Sequence, residues 1–268
     1  MISSSVLAAF IAAAAAELAL PVILLLVLFL KKKVAAAPVF LGFASFFVSQ
    51  VMLRMQILNI VKTQSWFQSF ALNFIPYCLM LAFTAGLFEE SARLLCAGCF
   101  LKRHRMFRDA VSFGLGHGLC EVILITGMGQ INNIVYAMMI NGGTFQKATA
   151  ALSAAQSQAI LSAMRAVTPS MVYLGIAERV FAVAFHVFAS VLVFKGVNEH
   201  KISWYLLALG LHTVYDFAGV TLAKYADIWF AEGFMLLAAV LAVFLTVRLK
   251  PFFPEQNIGE PRPVFDSR

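Results

Sequence analysis

The sequence predicts an all-α, polytopic membrane protein: a seven-transmembrane-helix bundle with its N-terminus outside and its C-terminus in the cytoplasm. Three observations carry this. Of the 268 residues, 62% are hydrophobic and 12% are charged, about half the charged fraction of a soluble domain. Apolar runs recur at about the 20 residues that a bilayer crossing needs. The basic residues fall in short segments between those runs, the pattern of cytoplasmic loops. The formal net charge of +7 therefore speaks for membrane topology, and no nucleic-acid partner is expected.

The first span runs from about Val6 to Leu30 and stops at Lys31, Lys32 and Lys33. No Lys or Arg precedes it, so the charge is on the wrong side for a cleaved signal peptide and an uncleaved span is expected. The second runs from about Pro38 to Leu58, with Arg54 near its outer end, where its long stem lets the guanidinium snorkel to water. A polar outer loop, Asn59 to Ser69, leads to the third span, about Leu72 to Leu101, which ends at Lys102-Arg103-His104-Arg105. The fourth covers about Asp109 to Met128. Gly129 to Ser170 reads as a non-spanning connection with a turn at Asn141-Gly142-Gly143 and a surface helix in its later half. Either a gate or a variable surface loop fits it. The fifth, sixth and seventh spans are about Met171 to Phe194, Ile202 to Leu222 and Ile228 to Val247. Residues 1–250 thus form one transmembrane domain. Residues 251–268, with four prolines in the first 13, read as a disordered cytoplasmic tail.

Orientation follows from the count of basic residues. Thirteen of the twenty Lys and Arg lie in the four proposed cytoplasmic segments, four in the proposed outer segments and three within spans. That bias places the N-terminus outside. The four cysteines all lie in apolar stretches, which argues against a secreted disulfide framework. Cys96-Ala97-Gly98-Cys99 has C-x-x-C spacing, but no second pair or redox context accompanies it.

Charge inside hydrocarbon is expensive and marks function by default. The third span carries Glu89, Glu90 and Arg93; the arginine is one helical turn from both acids. The fourth carries His117 and Glu121 at i,i+4 within the glycine-rich run Gly114-Leu115-Gly116-His117-Gly118. The fifth carries Glu178, Arg179 and His186, and the sixth His212 and Asp216 at i,i+4. Glu17 lies mid-span in the first helix with no evident partner. Three histidines near the middle of three spans, two of them with an acid one turn away, are expected to meet in one cavity.

Several chemistries can be set aside. No H-E-x-x-H zinc motif is present, no G-x-S-x-G precedes a histidine, and no nucleotide fingerprint occurs. Tyr215-Asp216 supplies half of an intramembrane aspartyl site without the second aspartate. Glutamate with histidine remains: a glutamate held ionised by Arg93 as base for water, and histidines that orient that water and stabilise the oxyanion. No cofactor is expected, with a zinc site on His117, His186 and His212 as the chemical rival.

These residues resemble the YhfC family of glutamic-type intramembrane proteases, in the superfamily with PrsW, the type II CAAX prenyl protease/Abi proteins and the Aph-1 subunit of γ-secretase. The resemblance covers roughly Phe88 to Phe217. It rests on Glu89-Glu90-x-x-Arg93, Phe113-x-x-x-His117 with Glu121, Glu178-Arg179 with His186, and His212-x-x-x-Asp216. It implies an intramembrane endopeptidase in which Glu89 and Glu90 activate water, His117 and His212 assist, and His186 lines the same site. Arg93, Glu121, Glu178, Arg179 and Asp216 would support them. The i,i+4 spacing to Arg93 favours Glu89 as the base. The implied partners are membrane-protein or lipidated-protein substrates within the lipid bilayer of a prokaryotic plasma membrane. The similarity to Aph-1 leaves a second reading, a non-catalytic scaffold for a membrane-protein partner or a homo-oligomer. A metal-dependent membrane hydrolase or transporter is the third.

Overall fold

The computed structural model describes residues 1–254; the expected tail beyond residue 254 lies outside the described residues. The described residues form helices and no strand. In chain order they are α1 (Ser4–Leu30), α2 (Ala36–Val61), α3 (Ser65–Ala71), α4 (Phe74–Phe100), α5 (Phe107–Asn141), α6 (Phe145–Ala148), α7 (Ala154–Ala166), α8 (Pro169–Glu199), α9 (Ser203–Tyr225) and α10 (Ile228–Leu249). Among them, six are long and apolar enough to cross a membrane: α1, α2, α5, α8, α9 and α10. With α4, which carries the charged triplet and is joined to α3 at a bend of 108°, the candidate crossings number up to seven.

Two boundaries differ from those expected. The run from Gly129 to Asn141 continues α5 as helix, through a π turn at Val122–Gly127, and does not begin a loop. Its polar residues suggested a connection, but they bond along the helix, as Asn133 does to Gln130 at 3.3 Å. The helix ends at Gly142-Gly143, where Gly143 has φ +72°, a conformation that glycine adopts without a Cβ clash. The expected later helix is α7. Ser153 caps it in a reciprocal box with Gln156: the Gln156 amide donates to Ser153 Oγ (3.2 Å) and the Ser153 amide to Gln156 Oε1 (2.9 Å). At the other end of the chain, the start of the expected tail is placed. Lys250–Phe252 make a 3₁₀ turn, and the buried Phe253 meets Phe107 edge-on at 5.6 Å.

The chain forms two compact units, residues 1–27 with 121–179, and residues 28–120 with 180 onward. The first unit is cored by Ile2, Val6, Phe10, Ala137, Met164 and Val172. Asn141 clasps the backbone of Ile2, accepting from its amide at 2.6 Å and donating to its carbonyl at 2.9 Å.

The second unit holds α2, α4, α9, α10 and the adjoining parts of α5 and α8. Its helices touch through small residues, as membrane helices do where backbones must approach. A Cβ on Gly116 of α5 would collide with the Val39 carbonyl of α2, and one on Gly42 of α2 with the Phe113 carbonyl of α5. This backbone-to-backbone contact sets Ser45, one turn after Gly42, beside His117. Arg105 is 2% exposed despite its place among the proposed cytoplasmic charges. It turns back on α4 and donates to the carbonyls of Ala97 (2.8 Å) and Gly98 (2.7 Å), satisfying helix-end acceptors.

Candidate active site

Glu89, Glu90 and Arg93 all face inward from α4, at 4%, 0% and 0% exposure. His117 of α5, His186 of α8 and His212 of α9 are buried around them. Within the second unit, α4, α5, α8 and α9 thus bring the expected glutamates and histidines together.

Glu89 is the hub. Its Oε2 lies 2.8 Å from His117 Nε2, 3.7 Å from His186 Nδ1, 3.8 Å from His212 Nε2 and 3.5 Å from Arg93 Nη2. Glu90 makes the tighter ion pair with Arg93, through Oε1 and Nη1. The same Oε1 is 2.7 Å from His212 Nδ1. The i,i+4 acid, Glu89, is therefore the one exposed to all three imidazoles, while the i,i+3 acid is tied to the guanidinium.

Ring protonation follows from these partners. Arginine can only donate, so His186 Nδ1, 2.7 Å from Arg93 Nη2, accepts from it, a bond that His186 would give up on ligating an ion. Glu90, paired with arginine, accepts from His212 Nδ1–H, which turns the His212 Nε2 lone pair toward Glu89 and toward Asp216 Oδ2 at 3.6 Å. A carboxylate behind an imidazole is the arrangement that fixes the tautomer of a metal-ligating or proton-carrying histidine.

Other expected residues sit elsewhere in the chain's contacts. In the first unit Arg179 pairs with Glu121 (3.4 Å) and with Glu178 (3.1 Å). Glu17, which the sequence left without a partner, is buried near Thr126 and Gln130 in that unit, with its Oε2 unpartnered. The four cysteines are free thiols.

Ser45 and Gln50, which sequence reasoning passed over, and Arg54, which it turned to the surface, join the site or brace it. Ser45 Oγ lies 2.8 Å from His117 Nδ1. Arg54 does not snorkel outward: it donates to the Leu81 carbonyl (2.7 Å), to Thr84 Oγ1 (3.2 Å) and to Gln50 Oε1 (3.0 Å). Gln50 in turn donates to the Ala85 carbonyl at 3.2 Å. Together Gln50 and Arg54, in the π turn Phe47–Arg54, grip α4 one to two turns before Glu89. The available signal was that Ser45, Gln50 and Arg54 are polar residues in a mostly apolar run.

An apolar cleft of about 540 Å³ opens between α2 and α4, walled by Leu41, Val48, Leu53, Phe88 and Leu95. Ser45, the neighbour of His117, forms part of that wall.

The donor set fits a metal ion. Glu89, His117 and His186 each offer one ligand atom, all within 4.8 Å of one another, and all three are buried. Two imidazoles and a carboxylate are a donor set of catalytic zinc. Glu90 Oε2 is buried without a hydrogen-bond partner, as expected next to a centre that needs a further positive or protic group.

Comparison with known proteins agrees. The profile of the YhfC intramembrane metalloprotease family matches residues 17–244. The "Uncharacterized membrane protein YhfC" of Bacillus subtilis (strain 168) is 35% identical over 181 residues, 66% of this chain and 68% of the relative. No solved structure matches the chain. The expectation of a cofactor-free site is thereby overturned: the family is described as metalloproteases, and the inward-facing Glu/His/His group supplies the ligands.

Proposed function

Because this chain belongs to the YhfC intramembrane metalloprotease family, a group of multi-pass membrane proteases, we propose that it hydrolyses peptide bonds in or beside transmembrane segments at the Glu89–His117–His186 centre. The observation that carries this reading is the convergence of three imidazoles on one buried carboxylate oxygen. Glu89, His117 and His186 would hold the ion. When bound, such an ion polarises the scissile carbonyl and lets water attack at neutral pH.

The remaining residues have work of their own. His212, with Nδ1–H held by Glu90, presents Nε2 as the group that accepts a proton from water and returns it to the leaving amine. Glu90 stabilises the imidazolium formed between those two transfers. Arg93 offsets the charge of the paired glutamates through its ion pairs with both. Asp216, with a side chain 35% exposed and 3.6 Å from His212 Nε2, gives the proton a route toward water. The cleft between α2 and α4 suits an apolar peptide stretch arriving from the bilayer.

The test compares new protein N-termini in membranes of cells expressing wild type, Glu89→Gln or His117→Ala. Termini within or beside transmembrane segments, present only with wild type, support the proposal and name substrates. Identical termini in all three, at equal expression, overturn it.

A further inference from the structure

A second cavity, of about 330 Å³, lies in the second unit where the C-terminal end of α4 meets the turn from α8 to α9. None of the glutamates and histidines of the candidate site lines it. Its walls differ in character. Leu94 and Ile202 are apolar, and Ile202 is 60% exposed, as a side chain facing lipid is. Arg105, His200, Lys201 and Tyr205 supply hydrogen-bond donors. The ends of crossing helices fall at headgroup depth, where tyrosine is enriched.

The basic wall is held in place by the backbone. Arg105 is 2% exposed, and the Ala97 and Gly98 carbonyls that it bonds fix its guanidinium without cancelling the charge. Its own carbonyl accepts from Asn198 Nδ2 at 2.9 Å, which ties the α4–α5 connection to α8. His200 has φ +55°, a left-handed conformation that glycine takes at less cost. The turn closes there as the Lys201 amide donates to the Gly196 carbonyl at 2.9 Å. It is tight, since a Cβ on Gly196 would lie 2.9 Å from the Lys201 carbonyl. An imidazole and an ammonium thus stand side by side on the cavity, at a place where the backbone favours a residue with no side chain. Lys201 Nζ is 3.2 Å from Glu199 Oε2, but Glu199 also pairs with Lys195 through Oε1. One carboxylate faces two ammoniums, so the cluster stays positive.

We propose that this cavity binds the phosphate of an anionic phospholipid headgroup, with Arg105, His200 and Lys201 as donors and the acyl chains leaving past Leu94 and Ile202. Phosphate oxygens are the acceptors that arginine and lysine serve best, and basic pockets between crossing helices are where acidic headgroups lodge. The lipid joins the ends of α4, α8 and α9, the helices that carry Glu89, His186 and His212. The site is separate from the proposed hydrolysis, and its test needs neither metal nor cleavage.

The experiment uses the full chain in neutral detergent, incubated with equal amounts of phosphatidylglycerol and phosphatidylcholine of matched acyl chains. Native mass spectrometry counts the lipids retained. Wild type is expected to keep phosphatidylglycerol in preference to phosphatidylcholine. Lys201→Gln should weaken that retention about fivefold, the effect of one basic charge near a lipid surface. Lys31→Gln, which loses the same charge outside the cavity, should not. His200→Gly should weaken it while leaving the melting temperature unchanged or higher, a combination that a merely structural histidine would not give. Retention that does not distinguish the two lipids overturns the proposal, as does an equal loss in Lys31→Gln and Lys201→Gln. sn-Glycerol 3-phosphate, added in place of lipid, separates the sources of the phosphate. If it binds as tightly as phosphatidylglycerol, the cavity belongs to a soluble phosphate ester and the lipid assignment falls.

Discussion

Arg93 is the residue whose loss the site can least accommodate. It is fully buried, pairs with Glu90 and Glu89, and donates to His186. Removing it strands two carboxylates, and breaking a buried pair costs about 3–5 kcal/mol. Arg93→Met is expected to lower the melting temperature strongly in detergent. Arg93→Lys should recover little, because an ammonium on a flexible stem cannot reproduce the planar fork. An unchanged melting curve for Arg93→Met would contradict this. His212 and His117 should separate in a different way. His212→Ala is expected to lower turnover roughly 10²- to 10⁴-fold with metal content intact, whereas His117→Ala loses both; peptide cleavage and elemental analysis read the two quantities. Glu89, Glu90, His117, His186 and His212 were legible because ionisable groups inside spans need a reason to be there. Ser45 was not, since a single serine can bond its own helix and carry no further meaning. Arg54 was misread because distance from the span end says nothing of which carbonyls lie within reach.

At the scale of the element, the glycines of α5 explain how His117 reaches the centre. Gly116 meets the Val39 backbone with no space for a methyl group. Gly116→Ala is therefore expected to destabilise by about 1–3 kcal/mol and to lower cleavage by displacing the Ser45–His117 contact. Gly98→Ala, with nothing within 4 Å of the added atom, should leave both unchanged. Thermal unfolding and cleavage assays of the pair check this; equal behaviour of the two variants would refute it. The length of α5 was hidden for the opposite reason. The run from Gly129, with its Gln and Asn residues, read as a connection, yet the π turn at Val122–Gly127 leads into helix that continues through it. Local composition does not reveal where a helix widens by one residue and continues. The spans rich in Ala, Leu, Val and Phe were placed within a few residues, since their apolar length alone decides them.

Over the whole molecule, the distribution of charge and the chemistry of the site each make a prediction. The basic segments at Lys31–Lys33, Lys102–Arg108 and beyond Val247 predict a cytoplasmic C-terminus. A C-terminal fluorescent-protein fusion should glow and a C-terminal alkaline phosphatase fusion should be inactive; the reverse pattern would invert the topology. Chelation is expected to abolish proteolysis in purified membranes, and added Zn²⁺ to restore it; activity indifferent to chelator would remove the metal from the reaction. Six apolar crossings were legible from hydropathy, and so was α4 as a candidate seventh, although three charges interrupt its apolar run. The grouping of the chain into two units was not, because their boundaries fall inside α1, α5 and α8, where no linker or change of composition marks them.

The cleft between α2 and α4 has a bearing on inhibitor chemistry. A compound that only chelates the centre would be shared among metalloenzymes, since imidazole and carboxylate ligands are common to them. About 540 Å³ walled by Leu41, Val48, Phe88 and Leu95 lies in the size range of drug-binding pockets. Ser45 offers a hydroxyl that both lines that pocket and contacts His117. A branched lipophilic group filling the cleft, joined to a weak chelating head past Ser45, would draw its selectivity from the helix packing and only its anchoring from the metal.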